Sequence, residues 1–188
     1  TTTTMVAHCL CVVLAIYLFS HFWEIGAQDS GPYRVILESV RDCTDKGTGE
    51  MYITSSSRTD ESGKIYHTGD LNMPYGLKDT NFKAEGDASI WKGGEWKPIG
   101  LVWKLGFPKA CSSIKSMVPT WFDILKAAGV EKLGCMNPQG KYHFVDYHVG
   151  SMDKVNSLKY GKYRIRLSFT RQGKKIGCIS YFAQAVPK

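Results

Sequence analysis

Lys162-Tyr163-Arg164-Ile165-Arg166-Leu167-Ser168-Phe169 decides the fold, together with Lys175-Ile176-Gly177-Cys178-Ile179-Ser180-Tyr181-Phe182, which follows after a short turn. In the first run Tyr163, Ile165, Leu167 and Phe169 alternate with Arg164, Arg166 and Ser168. Successive side chains of a strand point to opposite faces, so this spacing predicts a half-buried strand, apolar inside and basic outside. Between the runs, Thr170-Arg171-Gln172-Gly173-Lys174 supplies a glycine where a tight hairpin needs a positive φ. In the second run Cys178 shares a face with Ile176 and Phe182, and that face is expected to be the inner one. A cysteine placed there staples the inside of the hairpin to a distant element.

Working outward, the amino-terminal end is set aside first. Thr1 to Thr4 precede the first methionine and read as a remnant. From Met5 a short leading region, in which only His8 and the amino terminus can be positive, runs into the apolar stretch Cys9–Phe19 and a break at Gly26-Ala27, the architecture of a secretory signal cleaved near Ala27 or Gln28. The apolar run is well short of the roughly 20 residues that span a bilayer, so the segment predicts secretion and an extracellular protein. Residues 28–188 then form one domain by size. Glu24 is the only charged residue removed, so the formal net charge of +7 rises by one. Cys9 and Cys11 leave as well, and Cys43, Cys111, Cys135 and Cys178 remain. An even number of cysteines in a secreted domain favours two disulfides, with three pairings open. Zinc is disfavoured because no two of the four are closely spaced.

The rest of the chain is strand-rich. Tyr33–Glu38, Glu50–Ser57 and Lys64–Leu71 read as strands. Phe82, Ala84, Gly86, Ala88 and Ile90 alternate with Lys83, Glu85, Asp87, Ser89 and Trp91, which makes an inward face of mostly small residues. Gly93-Gly94 turns the chain into Trp96–Leu105, where Ile99, Leu101, Trp103 and Leu105 share a face. Pro119–Gly129 fits a short helix with Gly129 as its stop. Tyr142–Val149 alternates again before the final hairpin. About eight strands and one short helix, without a repeat or an internal linker, predict an all-β antiparallel cup, barrel or sandwich.

Several of these segments, taken in order, carry a resemblance. They are the closing hairpin from Tyr163-Arg164-Ile165 to Lys175-Ile176-Gly177-Cys178-Ile179, the early Cys43 after a strand, the helix Trp121-Phe122-Asp123-Ile124-Leu125, and Cys135-Met136-Asn137-Pro138-Gln139-Gly140-Lys141-Tyr142. This ordered set resembles the ganglioside activator (sphingolipid activator) proteins, and within them the insect chemosensory CheB proteins, which share the reduced cysteine set. The resemblance implies a β-cup around a hydrophobic lipid cavity, with Cys43–Cys178 and Cys111–Cys135 as the bridges. It further implies a pheromone-like lipid or cuticular hydrocarbon presented to chemosensory neurons or a receptor there.

The candidate ligand-binding residues, at the cavity or its rim, come from two apolar loops and two inward faces. Met73, Tyr75 and Leu77 lie in the first loop, and Trp121 and Phe122 open the helix. Ile99, Leu101 and Trp103 supply one face, and Tyr163, Ile165, Leu167 and Phe169 the other. Apolar loops at the mouth of a cup form an entry rim or touch a membrane. Filling the core is the competing role for Trp121, Phe122, Trp91, Trp96 and Trp103.

Lys159, Lys162, Arg164, Arg166, Arg171, Lys174 and Lys175 gather around the last hairpin. Such a surface steers towards an anionic membrane, or simply keeps a sheet soluble. No base-stacking motif accompanies the charges, so nucleic acid is not an expected partner. Catalysis is not expected either, and no cofactor or metal is called for. Asp146 and His148 share a strand face with His143 opposite, and neither a nucleophile elbow, a zincin helix nor a phosphate loop is present. The expected function is therefore a non-enzymatic carrier of a hydrophobic small molecule or lipid. The alternatives are a sphingolipid activator that lifts glycolipids from membranes for a hydrolase, and an interaction protein with a filled core.

Overall fold

The computed structural model describes residues 31–78, 83–99, 105–107, 110–117, 120–131, 134–137, 139–148 and 158–188. The leader expected over residues 1–27, and Leu101 and Trp103, lie outside them. The decisive hairpin forms as strands β10 (Gly161–Arg171) and β11 (Lys174–Pro187). Gln172 and Gly173 join them with φ of 49° and 75°, the left-handed pair that a two-residue hairpin turn requires.

This hairpin is the centre of the larger sheet. β1 (Tyr33–Asp42) pairs with β11, and β5 (Lys83–Lys92) pairs with β10. β6 (Glu95–Pro98) and β7 (Leu105–Phe107) both pair with β5, and every pairing in the sheet is antiparallel. The second sheet is antiparallel in the order β2 (Tyr52–Thr59), β3 (Ile65–Met73), β9 (Gly140–Tyr147). A short ribbon pairs β4 (Leu77–Lys78) with β8 (Met136–Asn137). The protein is thus an antiparallel all-β fold in which, among the described residues, eight strands of four or more residues build two sheets.

Two helical segments sit between the sheets' strands in the chain. The expected helix forms as α2 (Thr120–Ala127), preceded by a second one, α1 (Ala110–Met117). Gly129, at φ +81°, ends α2: Gly129 N–H donates to Lys126 O and Val130 N–H to Leu125 O, both at 3.0 Å. This is the left-handed cap that satisfies the last carbonyls of a helix. α2 packs on β9, and Cys111, Ile114, Phe122, Ile124 and Leu125 turn inward.

The two sheets face each other across one core. Leu37, Val40, Leu167, Phe169, Ile179 and Tyr181 come from the larger sheet, and Ile53, Leu71, Met73, Phe144 and Tyr147 from the smaller. Burial of each such side chain removes about 1.5–3 kcal/mol of apolar exposure. Disulfides Cys43–Cys178 and Cys111–Cys135 are present, each with a Cα–Cα distance of 5.3 Å.

One facing assignment differs from expectation. Phe169 pairs with Gly177 but Thr170 pairs with Lys175, so Ile176 is the extra residue of a β-bulge. The bulge shifts the phase of β11 by one. Gly177, Ile179, Tyr181, Ala183 and Ala185 take the inward positions opposite Phe169, Leu167, Ile165, Tyr163 and Gly161. Cys178 and Phe182 instead share the outer face with Ser168 and Arg164. The Cys43–Cys178 bridge therefore staples the outside of the sheet. Trp91 and Trp96 also lie outside: Trp91 is 44% exposed, and the two rings meet edge to face at 5.1 Å.

Candidate functional site between the sheets

Where β1 passes β3, the sheets part. The gap holds about 320 Å³ and is walled by Val35, Ile36 and Leu37 from β1 and by Ile65 and His67 from β3. Gly63 and Lys64 of the β2–β3 turn and His148 stand at its mouth. That volume is at the lower end of the ~300–1,000 Å³ of small-molecule sites. Deeper along the larger sheet, the inner face at this end is built from small residues. Ala88, Ala183 and Ala185 are buried there beside Val35 and Tyr163, and none of the five belongs to the main core cluster.

One buried polar side chain, His67, lines this gap, and a second, Tyr181, belongs to the neighbouring core. His67 is 1% exposed; its Nε2 lies 3.3 Å from Leu37 O, which assigns Nε2 as the donor and leaves Nδ1 as an acceptor. His67 Nδ1 and the Tyr181 hydroxyl are buried and meet no partner. Tyr147 packs beside His67, their ring centroids 6.5 Å apart. Burial holds the His67 pKa below the ordinary histidine value, against the Leu37 carbonyl, with His148 adding to the depression. Burial pushes the Tyr181 hydroxyl well up. Both are therefore neutral at physiological pH, one offering an acceptor and the other a donor. Unpaired buried polar atoms are rare in folded proteins, and a bound molecule is one of the ways they are satisfied.

The residues singled out from sequence have the following places. Met73, Phe122, Leu167 and Phe169 meet in the core cluster, with Tyr75 and Ile165 packed against it. Tyr163 is buried nearer the gap, its hydroxyl donating to Lys159 O at 2.6 Å. Ile99 follows β6 and donates its N–H to Ala88 O at 3.1 Å. Leu77 lies in β4 and Trp121 in α2, with side chains outside the described part. The Tyr75 hydroxyl donates to Glu50, and Arg171 covers its ring at 4.1 Å, so this loop is tied down at its centre. His67, Val35 and Ile65 were missed. Nothing in a single sequence shows that β1 passes β3 at this point.

The histidines of β9 do not converge. Phe144 pairs with Gly69 but Tyr147 with His67, and Asp146 adopts φ 51°, so a bulge interrupts the expected alternation. His143 Nδ1 lies 3.0 Å from Asp70, Asp146 pairs with Arg58, and His148 Nδ1 lies 2.9 Å from Ile65 O. Among the described residues there is no group of three metal-ligating side chains, and no helix is long and apolar enough to cross a membrane. No family model and no curated protein matches the chain.

Proposed function

We propose that the protein is a secreted, non-enzymatic carrier of a hydrophobic molecule that carries one small polar group, a pheromone-like lipid or related compound in chemosensation. The observation that carries this reading is the gap between β1 and β3, where Val35, Ile36, Leu37 and Ile65 supply apolar wall and the buried His67 Nδ1 meets no partner. A ligand hydroxyl donates to His67 Nδ1, and the hydrocarbon lies along Val35, Leu37 and Ile65. Removing an 18-carbon chain from water is worth roughly 14 kcal/mol gross at ~0.8 kcal/mol per methylene. Association and ordering cost about 4–15 kcal/mol, so micromolar binding is within reach. The modest volume favours a single-chain compound over the two-chain glycolipid that an activator presents to a hydrolase. The two disulfides support an oxidising, extracellular setting.

Displacement of a fluorescent fatty acid by long-chain alcohols, esters and alkanes tests the reading, with native mass spectrometry of gently extracted protein beside it. The expected result is a co-purifying lipid, and probe binding that Ile65→Trp in the wall of the gap abolishes. A clean apo mass with no probe binding would sink the carrier reading, and stimulated ganglioside hydrolysis at acid pH would replace it with the activator.

A further inference from the structure

The outer face of the larger sheet carries a second concavity, of about 660 Å³, on the side away from the core. Its floor is set by register. Ser39, Phe182, Arg164 and Ser89 form one cross-strand row over β1, β11, β10 and β5, and Arg41, Ser180, Arg166 and Asp87 form the next. The Cys43–Cys178 bridge closes one end.

The charges on this floor are unequally matched. Arg166 Nε meets both Asp87 oxygens, at 2.9 and 3.1 Å. Lys175 holds Asp45 at 2.7 Å, while Asp42 accepts from Lys46 at 3.0 Å and from Ile53 N–H at 2.9 Å. Every carboxylate lining the groove is thus already engaged. Among the described residues, Arg41 and Arg164 have no carboxylate partner. Each lies instead on an aromatic ring: Arg41 is 4.4 Å from the Phe182 centroid and Arg164 is 5.0 Å from that of Trp96. Phe182 and Trp96 meet edge to face at 5.8 Å. Stacking occupies the flat face of a guanidinium and leaves its in-plane N–H donors free, the geometry with which arginine grips planar or tetrahedral oxyanions. The Arg164 Nε is buried and meets no partner. Desolvation, and then the charge of Arg166, lower its pKa, with Asp87 opposing them, so a further anion beside it would be favourable.

We propose that this outer groove is an anion-binding site for a phosphate- or sulfate-type oxyanion attached to an apolar or aromatic body, with Arg41 and Arg164 as the gripping cations and Trp96 and Phe182 as the platform. It is separate from the gap between the sheets and does not depend on a lipid being carried there. The same oxyanion chemistry belongs to a soluble phosphomonoester and to an anionic lipid headgroup.

Phenyl phosphate is titrated into the full chain with tryptophan fluorescence as the readout, and phosphatidylcholine vesicles with and without phosphatidic acid are tested by flotation. Arg41→Gln and Arg164→Gln are compared with the unaltered protein, each checked by its thermal midpoint. The expected result is salt-sensitive binding that each substitution weakens about tenfold or more, because charge-assisted hydrogen bonds to an anion are lost. Arg164→Lys keeps the charge but not the fork, and weakens binding as well. Binding of phenyl phosphate identifies a soluble ligand as sufficient; binding of phosphatidic acid vesicles alone identifies the headgroup. If neither probe binds, or if binding survives both glutamine substitutions in folded protein, the arginine–aromatic stack is structural only and the proposal is overturned.

Discussion

Gly177 of β11 and Met51, just ahead of β2, meet backbone to backbone. Met51 N–H donates to Ile176 O at 2.9 Å, and a Cβ on Gly177 would overlap the Met51 carbonyl. Here the chain entering the smaller sheet is bonded to the start of β11, beyond the end of its pairing with β1, and this contact seams the two layers together at the end away from the gap. Gly177→Ala is expected to destabilise the fold by about 1–3 kcal/mol through forced separation of the two backbones. A lowered urea midpoint with an unchanged slope checks it; an unchanged midpoint would show that the seam tolerates a side chain.

Whether ligand space extends from the gap to the alanines of the larger sheet is testable through Ala185. It faces inward opposite Gly161 and beside Val35. In a filled core, Ala185→Leu would cost about 1–3 kcal/mol. If the alanine-lined face borders a ligand space, the substitution leaves the denaturation midpoint nearly unchanged and instead weakens binding of the fluorescent fatty acid. Differential denaturation and probe titration on one sample separate the two.

Acid is expected to loosen the site before it unfolds the rest. His67 is buried with its pKa below the ordinary value of 6.5, because burial disfavours its charge and His148 adds repulsion. The unfolded chain therefore binds a proton that the folded chain resists. Stability from this group is intact above about pH 6.5 and falls as pH drops below that value. The depressed carboxylates act lower still: the stability contributed by Asp70, held down chiefly by His143, and by Asp146, held down by Arg58, is present above their usual 3.8 and is lost as pH falls below it. Urea midpoints between pH 8 and pH 5 (chosen around the histidine range) should decline in the native protein and flatten in His67→Leu.

The two disulfides should differ in weight. Cys111–Cys135 closes a separation of 24 residues over the helices, and Cys43–Cys178 one of 135. By loop entropy these are worth about 3 and about 5 kcal/mol. Paired cysteine-to-serine variants measured by urea unfolding should follow that order. Equal losses would point to strain or residual structure in the unfolded chain instead.

Much of the fold was legible because it rests on local alternation. β5 and β10 show period-2 patterns whose inward sets, Ala84–Ile90 and Tyr163–Phe169, are the ones that pair across the sheet. The helix stop at Gly129 was likewise local, since only a left-handed residue completes that cap. Cys178 was misplaced because a single extra residue at Ile176 inverts every face after it, and a bulge leaves no mark in composition. Asp146 did the same to β9.

The sequence by itself determined much of the local structure: the longer strands, where the last hairpin turns, the helix that Gly129 stops, and the basic outer face of β10. These follow from steric and hydrophobic rules that act within a few residues. Only the tertiary structure decided which strands meet, that β1 faces β3 across an open gap, and that Arg41 and Arg164 come to rest on Phe182 and Trp96. Those relations join residues far apart in the chain, where packing and register, rather than any local preference, select the neighbour.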